Sequence, residues 1–128
     1  MSYQYNDGGA RAAGRKGNTD CGIRSVAIAC DMDYMDAVKL LKEFAKRGKA
    51  GSAAIAKGIY KEDLDAALRS IGWTWHSAPK FDGRKARYSD IEGTAILRMA
   101  SHFSVVIDGV LHDTWDSSNK MVYGYWSK

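Results

Sequence analysis

The side chains in this sequence that suit nucleophilic chemistry are an early cysteine and a late histidine and aspartate. Cys21 follows Asp20, and His102 and Asp113 lie on either side of an Asp108-Gly109 dipeptide. A thiolate attacks carbonyl carbon, an imidazole takes up and returns a proton, and a carboxylate orients the imidazole. If the fold brings the three residues together, they form a Cys-His-Asp acyl-transfer site.

The Asp108-Gly109 dipeptide predicts a β-hairpin because it suits a two-residue type I′ turn. In the resulting register Ile107 pairs with Val110, and Ser104 pairs with Asp113. Side chains alternate between the two faces of a strand, so this register decides which of them meet.

The same register places His102, Asp113 and Trp115 on one face of the hairpin and His112 on the other. Diagonal neighbours in such a pair lie ~7–8 Å apart, which an imidazole and a carboxylate can bridge. We expect Asp113 to accept the Nδ1 proton of His102, and Trp115 to shield that bond from water. Because His112 points away, a metal site that combines His112 with Asp113 is disfavoured.

The helical pattern that begins after residue 18 places Cys21 in the first turn of a helix, with Thr19 or Asp20 as the N-cap. There the helix dipole and the unpaired N–H groups favour the thiolate. Cys30 falls on the buried stripe of the same helix, about 13 Å from Cys21 at the helical rise per residue. We therefore expect two free thiols rather than a disulfide.

The elements that must position these residues divide the chain into two parts. Residues 1–72 are interpreted as a loop through Asn18 followed by three amphipathic helices, of which the second begins after Asp33 and ends at Gly48 and the third ends before Gly72. Residues 73–128 are interpreted as mainly antiparallel sheet. The predicted strands are Trp73–His76, Thr94–Met99, His102–Ile107, Val110–Trp115 and Met121–Trp126. This order predicts a single α+β domain over residues 1–128.

Composition limits the class of protein. A hydrophobic share of 45% with 27% charged residues is typical of soluble globular domains. No apolar run approaches the ~18 residues that cross a bilayer, and the first residues do not resemble a secretory signal, so we expect a cytoplasmic protein with no membrane partner. The net charge of +4 permits binding to nucleic acid, but the basic residues are scattered, which favours a solvated surface. Neither a phosphate-binding loop nor a metal-ligand pattern is present, so we expect no cofactor and no metal.

Three short segments resemble those of a known family. Asp20-Cys21-Gly22 at a helix start resembles the nucleophile segment of papain-like cysteine peptidases, in particular the branch that removes double-glycine leaders from bacteriocins, whose motif commonly reads Asp-Cys-Gly. His102 at the start of a strand, followed across a hairpin by Asp113-Thr114-Trp115, is similar to the histidine and the Asn-Ser-Trp segment of that family. Together with Gly124-Tyr125-Trp126, the pattern also resembles small phage-encoded proteins of this fold.

The resemblance implies a papain-like fold in which the nucleophile helix packs on the C-terminal sheet. It also implies a hydrolase of the cysteine protease class, with Cys21 as nucleophile, His102 as general base and acid, and Asp113 as the orienting carboxylate. The substrate would be a peptide or protein, and the location would be the host cytoplasm if the chain is phage-encoded.

One position departs from the pattern of the family. Papain-like peptidases usually carry a Gln about six residues before the nucleophile, whose amide helps to form the oxyanion hole, and Arg15 stands there in this chain. Asn18 is the nearest amide, and Gln4 or Asn6 would have to fold back to replace it. The backbone N–H of Cys21 supplies one further donor.

Alternative functions stay open at this point. A thioester on Cys21 can be hydrolysed or passed to an amine, and deamidation uses the same intermediate. The chain could instead be a phage-derived binding module that keeps the papain-like fold without efficient catalysis and sequesters a host protein through its cleft. A basic nucleic-acid-binding protein is a third alternative, and its affinity would fall steeply with salt.

Overall fold

The computed structural model describes residues 3–15, 19–45 and 58–128 of the chain. In these ranges the helices are α1 (Cys21–Ala29), α2 (Tyr34–Phe44) and α3 (Lys61–Ser70), and a short 3₁₀ turn covers Tyr88–Asp90. The strands are β1 (Tyr3–Tyr5), β2 (Thr74–Ser77), β3 (Thr94–Met99), β4 (His102–Ile107), β5 (Val110–Asp113) and β6 (Val122–Ser127).

The strands of the described residues form one sheet in the order β1-β5-β4-β3-β6-β2. β1 runs parallel to β5, whereas the other neighbouring strands are antiparallel, so the sheet is mixed. α1 packs against β4 and β3, and α2 packs against both α1 and α3. The α+β class predicted from the sequence is therefore confirmed.

Alternation along the strands divides the apolar side chains between two cores. Ile96, Val105 and Trp126 are buried on the face that the three helices cover. Leu97 and Val106 are buried on the opposite face, beneath the segment of residues 86–91. Because the sheet is covered on both faces, its central strands have fixed registers, which allows them to hold reactive side chains in place.

The strand predictions agree closely with the structure. β3 and β4 have the predicted bounds, and β2 and β6 are each displaced by one residue. β5 ends at Asp113, before the predicted end at Trp115. α2 begins directly after Asp33, as predicted, and its predicted end at Gly48 lies outside the described residues.

The N-terminal stretch differs from the prediction of a loop because it contains β1. Tyr3 pairs with Leu111 and Tyr5 pairs with Asp113. A strand of three residues has too few side chains to establish a period, and its partner is distant in the sequence. Local patterning therefore could not predict this pairing, which attaches the N-terminal segment to the strand that carries Asp113.

A hydrogen bond between α3 and β6 gives a test of how the helical layer is attached to the sheet. The indole Nε1–H of fully buried Trp126 donates to Oδ1 of Asp65 at 2.9 Å. We expect Asp65→Ala to lower the free energy of unfolding by about 1–2 kcal/mol, because the indole N–H loses its acceptor. Urea unfolding followed by circular dichroism measures the change.

The matched control is Asp65→Asn, which keeps an acceptor oxygen. It also removes the ion pair of Asp65 with Arg69, whose charged atoms are 3.7 Å apart and whose arginine side chain is 71% exposed. Such exposed pairs contribute little, so Asp65→Asn should stay close to wild type. Equal losses in the two variants would mean that the indole hydrogen bond is not the cause.

Candidate active site

The hairpin that joins β4 to β5 has the predicted turn. Asp108 and Gly109 both have positive φ, 48° and 83°, as a type I′ turn requires. Ile107 pairs with Val110, and the ladder continues for two further pairs toward Asp113. The predicted register is therefore confirmed.

This register brings His102 and Asp113 into direct contact. Nε2 of His102 lies 2.7 Å from Oδ2 of Asp113, and both residues are buried. The expectation that Nδ1 of His102 faces the carboxylate is wrong, because strand alternation fixes the face on which the ring lies but not its rotation, and the ring is turned so that Nε2 meets Asp113. Nδ1 is thus the ring nitrogen that remains for the hydrogen bond between His102 and Cys21.

The carboxylate of Asp113 is surrounded by hydrogen-bond donors. Oδ2 accepts the hydroxyls of Ser104 and Ser117, each at 2.7 Å, in addition to His102. Oδ1 accepts the backbone N–H of Thr114 at 2.7 Å. Burial raises the pKa of Asp113, but the hydrogen bonds and the charge of His102 outweigh burial and keep that pKa below its ordinary value.

Cys21 lies in the first turn of α1, half-buried, with its thiol against His102. Burial raises the pKa of Cys21, but hydrogen bonds with His102 and with the backbone of Phe103 lower it, as do the charges of His102 and Arg24. The net pKa is below the ordinary value for a thiol. The first turn of a helix favours the same anion through its dipole.

His102 shows the complementary change. Burial lowers its pKa, but hydrogen bonds with Asp113 and Cys21 raise it, and the net value is about 9. A lowered thiol pKa beside a raised imidazole pKa favours a proton on the ring over a proton on the sulfur, and so favours a thiolate–imidazolium pair. The arrangement can therefore supply both a nucleophile and a proton donor.

Cys30 has a different environment. It is the C-cap residue of α1, is half-buried beside the helical core, and forms no disulfide. Burial raises the pKa of Cys30 to about 11, and the charge of Lys128 lowers it only in part. Cys30 is therefore a weak nucleophile near neutral pH.

Trp115 lies beside the imidazole, as the hairpin register predicted. The ring centroids of His102 and Trp115 are 5.0 Å apart, and the planes are tilted by 47°. The indole remains 44% exposed. One side of Trp115 thus covers His102 while the rest of the ring is open to solvent.

Asp20 adjoins the nucleophile but does not cap α1 with its side chain. Its buried carboxylate instead accepts the hydroxyl of Tyr34 at 2.5 Å and forms an ion pair with buried Arg24. Tyr34 belongs to α2, so this cluster fixes the start of α1 against the neighbouring helix. The burial of the Asp20–Arg24 pair was not predicted, because an Asp and an Arg at i, i+4 spacing more often form an exposed pair.

Close packing accounts for Gly22, the third residue of the Asp-Cys-Gly segment. A Cβ at this position would lie 2.6 Å from Cγ2 of Ile59 and 3.8 Å from Cδ2 of Phe103. Only glycine allows Ile59 to pack this closely on the first turn of α1. The absence of a side chain therefore leaves room for Ile59, whereas Phe103 of β4 lies at ordinary contact distance from this position.

The groups that could stabilise an oxyanion lie beside the first turn of α1. Asn18, the amide closest to Cys21 in sequence, lies outside the described residues. Arg15 occupies the position where a glutamine was expected, and its Cζ lies 5.8 Å from the centroid of the Tyr34 ring. The backbone N–H groups at the start of α1 have no partner within the helix, so they are the donors available to a developing oxyanion.

The other candidate side chains have partners elsewhere. Gln4 donates to the backbone carbonyl of Tyr5, and Nδ2 of Asn6 lies 3.2 Å from Nδ1 of His112. Burial lowers the pKa of His112, which agrees with a neutral ring that accepts this hydrogen bond. Asp116 is exposed and accepts a turn N–H, so it is not the carboxylate that orients His102.

Comparison of the chain with protein-family models, with curated proteins and with solved structures returned no match. The functional argument therefore rests on the geometry of the site. In the described ranges no helix combines the length and the apolar character needed to cross a lipid bilayer. In the same ranges no group of three or more His, Cys, Asp or Glu is placed to hold a metal ion.

The two thiols give a direct test of activation. We expect iodoacetamide at pH 7 to alkylate Cys21 at least about tenfold faster than Cys30, because only Cys21 has a stabilised thiolate. Peptide mapping by mass spectrometry during a time course measures both rates. His102→Ala should slow labelling of Cys21 and leave that of Cys30 unchanged.

Protein unfolded in urea provides the control, since both thiols should then react at similar rates. Equal rates in the folded protein, or faster labelling of Cys30, would contradict an activated Cys21.

Proposed function

We propose that this chain is a papain-like thiol enzyme that cleaves or transfers an acyl group at a peptide or isopeptide bond. The observation that carries the proposal is the position of His102 between the thiol of Cys21 and the carboxylate of Asp113. The chain order of these residues and the Asp-Cys-Gly segment support it, because both resemble papain-like peptidases.

In the proposed reaction the thiolate of Cys21 attacks the carbonyl carbon and forms a tetrahedral intermediate. Backbone N–H groups at the start of α1 donate to the oxyanion. His102, as imidazolium, gives its proton to the leaving amine, and the carbon–nitrogen bond breaks to leave a thioester on Cys21. Neutral His102 then takes a proton from water, or from an acceptor amine, which attacks the thioester. The carbon–sulfur bond breaks, the acyl product leaves, and the thiolate of Cys21 is regenerated beside the imidazolium.

Asp113 remains ionised through both steps. Its contact with Nε2 stabilises the imidazolium and keeps Nδ1 directed at the sulfur. Trp115 limits the access of water to that contact from one side. Hydrolysis and transamidation share these steps and differ in the acceptor of the acyl group, which is water or an amine. Deamidation is the hydrolysis of a side-chain amide, in which ammonia is the leaving group.

The second candidate function is a binding module of the same fold that lacks efficient catalysis and sequesters a host protein. The observation that favours it is the position of Arg15, which lies against Tyr34 in place of an amide donor for the oxyanion. Such a module would keep a reactive Cys21 but would not turn over a peptide.

A cleavage assay distinguishes the two candidates. We expect the wild-type chain to cleave members of a mixed peptide library, detected by mass spectrometry, and Cys21→Ala to reduce cleavage by at least about 1000-fold. Cys30→Ala is the matched control and should retain cleavage. Rapid alkylation of Cys21 without cleavage of any library member would favour the binding module.

The pH dependence of cleavage follows from the two shifted groups. The active form holds a thiolate and an imidazolium, so activity is lost as pH falls through the lowered pKa of Cys21. It is also lost as pH rises through the pKa of His102, about 9. This loss of activity with rising pH is the alkaline limb of the profile. An alkaline limb near the ordinary imidazole pKa would contradict the ion pair of His102 with Asp113.

Substitutions at Asp113 test its orienting role. Asp113→Ala should lower kcat about 100-fold, because His102 loses its fixed direction. Asp113→Asn should retain more activity, since an amide oxygen still accepts from Nε2, but its alkaline limb should move to lower pH with the loss of the negative charge. Asp116→Ala and His112→Ala are the controls and should leave kcat close to wild type. A large loss at Asp116 with none at Asp113 would overturn the assignment.

A further inference from the structure

The Oδ2 atom of Asp113 accepts more hydrogen bonds than orientation of an imidazole requires. His102, Ser104 and Ser117 all contact this one oxygen at 2.7 Å. Ser104 and Ser117 are 2% and 1% exposed, so bulk water does not compete for the same oxygen. The two hydroxyls therefore lie against the contact between His102 and Asp113, away from bulk water.

The hydroxyls come from two different parts of the chain. Ser104 lies on β4, two residues after His102 and on the same face of the strand. Ser117 lies in the loop after β5, where its carbonyl accepts the N–H of Lys120. Rotation of the Asp113 carboxylate would break the contacts with strand and loop together.

Both hydroxyls also act on the charge of the carboxylate. A hydroxyl that donates to a carboxylate stabilises its ionised form, which is the form that supports an imidazolium. Without these donors a buried carboxylate would gain a proton more readily, and His102 would lose both its counter-charge and its fixed direction. The thiolate of Cys21 would then lose the cation that stabilises it.

We propose that Ser104 and Ser117 are positioning residues of the thiol site, which hold Oδ2 of Asp113 on Nε2 of His102 and thereby direct Nδ1 at Cys21. This inference rests on the proposed thiol chemistry. It differs from a purely structural role, in which the two hydroxyls would only satisfy a buried polar atom and would not influence the thiol.

The test is the pH dependence of alkylation of Cys21 by iodoacetamide, followed by mass spectrometry between pH 4 and pH 10. The acid limb is the part of the profile in which labelling falls as the thiolate gains a proton. We expect Ser104→Ala and Ser117→Ala each to move this limb upward by roughly 0.5–1 on the pH scale, because the carboxylate is then free to turn away from Nε2 and the imidazolium loses its fixed counter-charge. The double variant should move the limb further. At a pH below the limb, labelling should slow roughly three- to tenfold in each single variant, because the thiolate fraction falls in that proportion.

Two further variants distinguish a positioning role of the serine hydroxyls from a purely structural one. Ser118→Ala removes a hydroxyl from the adjacent residue, whose backbone N–H bonds Asp116, and it should leave the limb at its wild-type position. Ser117→Thr keeps the donor and should restore the limb that Ser117→Ala moves. Circular dichroism and urea unfolding identify the variants that fold. If the double variant does not fold, the single Ser117→Ala variant, which alters only a loop residue, tests the positioning role.

The possible failures are distinguishable. An unchanged limb in folded Ser104→Ala and Ser117→Ala variants, with rapid labelling of wild-type Cys21, would overturn the positioning role and leave the proposed function intact. Slow labelling of Cys21 in the wild-type chain would overturn the proposed function itself.

Discussion

The hydrogen bond between Nε2 of His102 and Oδ2 of Asp113 is the interaction on which the rest of the site depends. Both groups are buried, and taking charged groups out of water costs several kcal/mol for each ion. The cost is offset only if both groups keep good partners in fixed geometry. The hairpin register, the two serine hydroxyls and the backbone N–H of Thr114 meet this requirement together.

The backbone of Asp113 is held as firmly as its side chain. Its carbonyl accepts the N–H of Asn6 at 2.8 Å and the hydroxyl of Tyr3 at 3.2 Å. β1 therefore contributes more than its short length suggests, because it fixes the end of β5 from the side opposite β4. A carboxylate at a strand end would otherwise lie where a sheet begins to fray, and the added parallel strand prevents this.

Local chemistry in the sequence was sufficient to predict the hairpin. Asp108-Gly109 determined the turn, the turn determined the register, and the register placed His102, Asp113 and Trp115 on one face. The ring nitrogen that meets Asp113 was predicted wrongly, because strand alternation fixes a side chain's face but not the rotation of its ring. The pairing of β1 was missed since it depends on a partner more than 100 residues away. Ser117 was missed for a related reason, because its contact with Oδ2 depends on the path of a loop rather than on any period.

Two buried ion pairs act on the nucleophile, one from the sheet and one from the helical layer. His102 is the cation of the first and Arg24 the cation of the second, and both lower the pKa of Cys21. Each cation is balanced by an aspartate, so the thiol gains a favourable field without an unpaired buried charge. In the Asp-Cys-Gly segment, Asp20 thus anchors the helix start and balances Arg24, while Gly22 leaves room for Ile59. The residues on either side of Cys21 are therefore explained by packing and charge, and the chemistry depends on the approach of His102 to the sulfur.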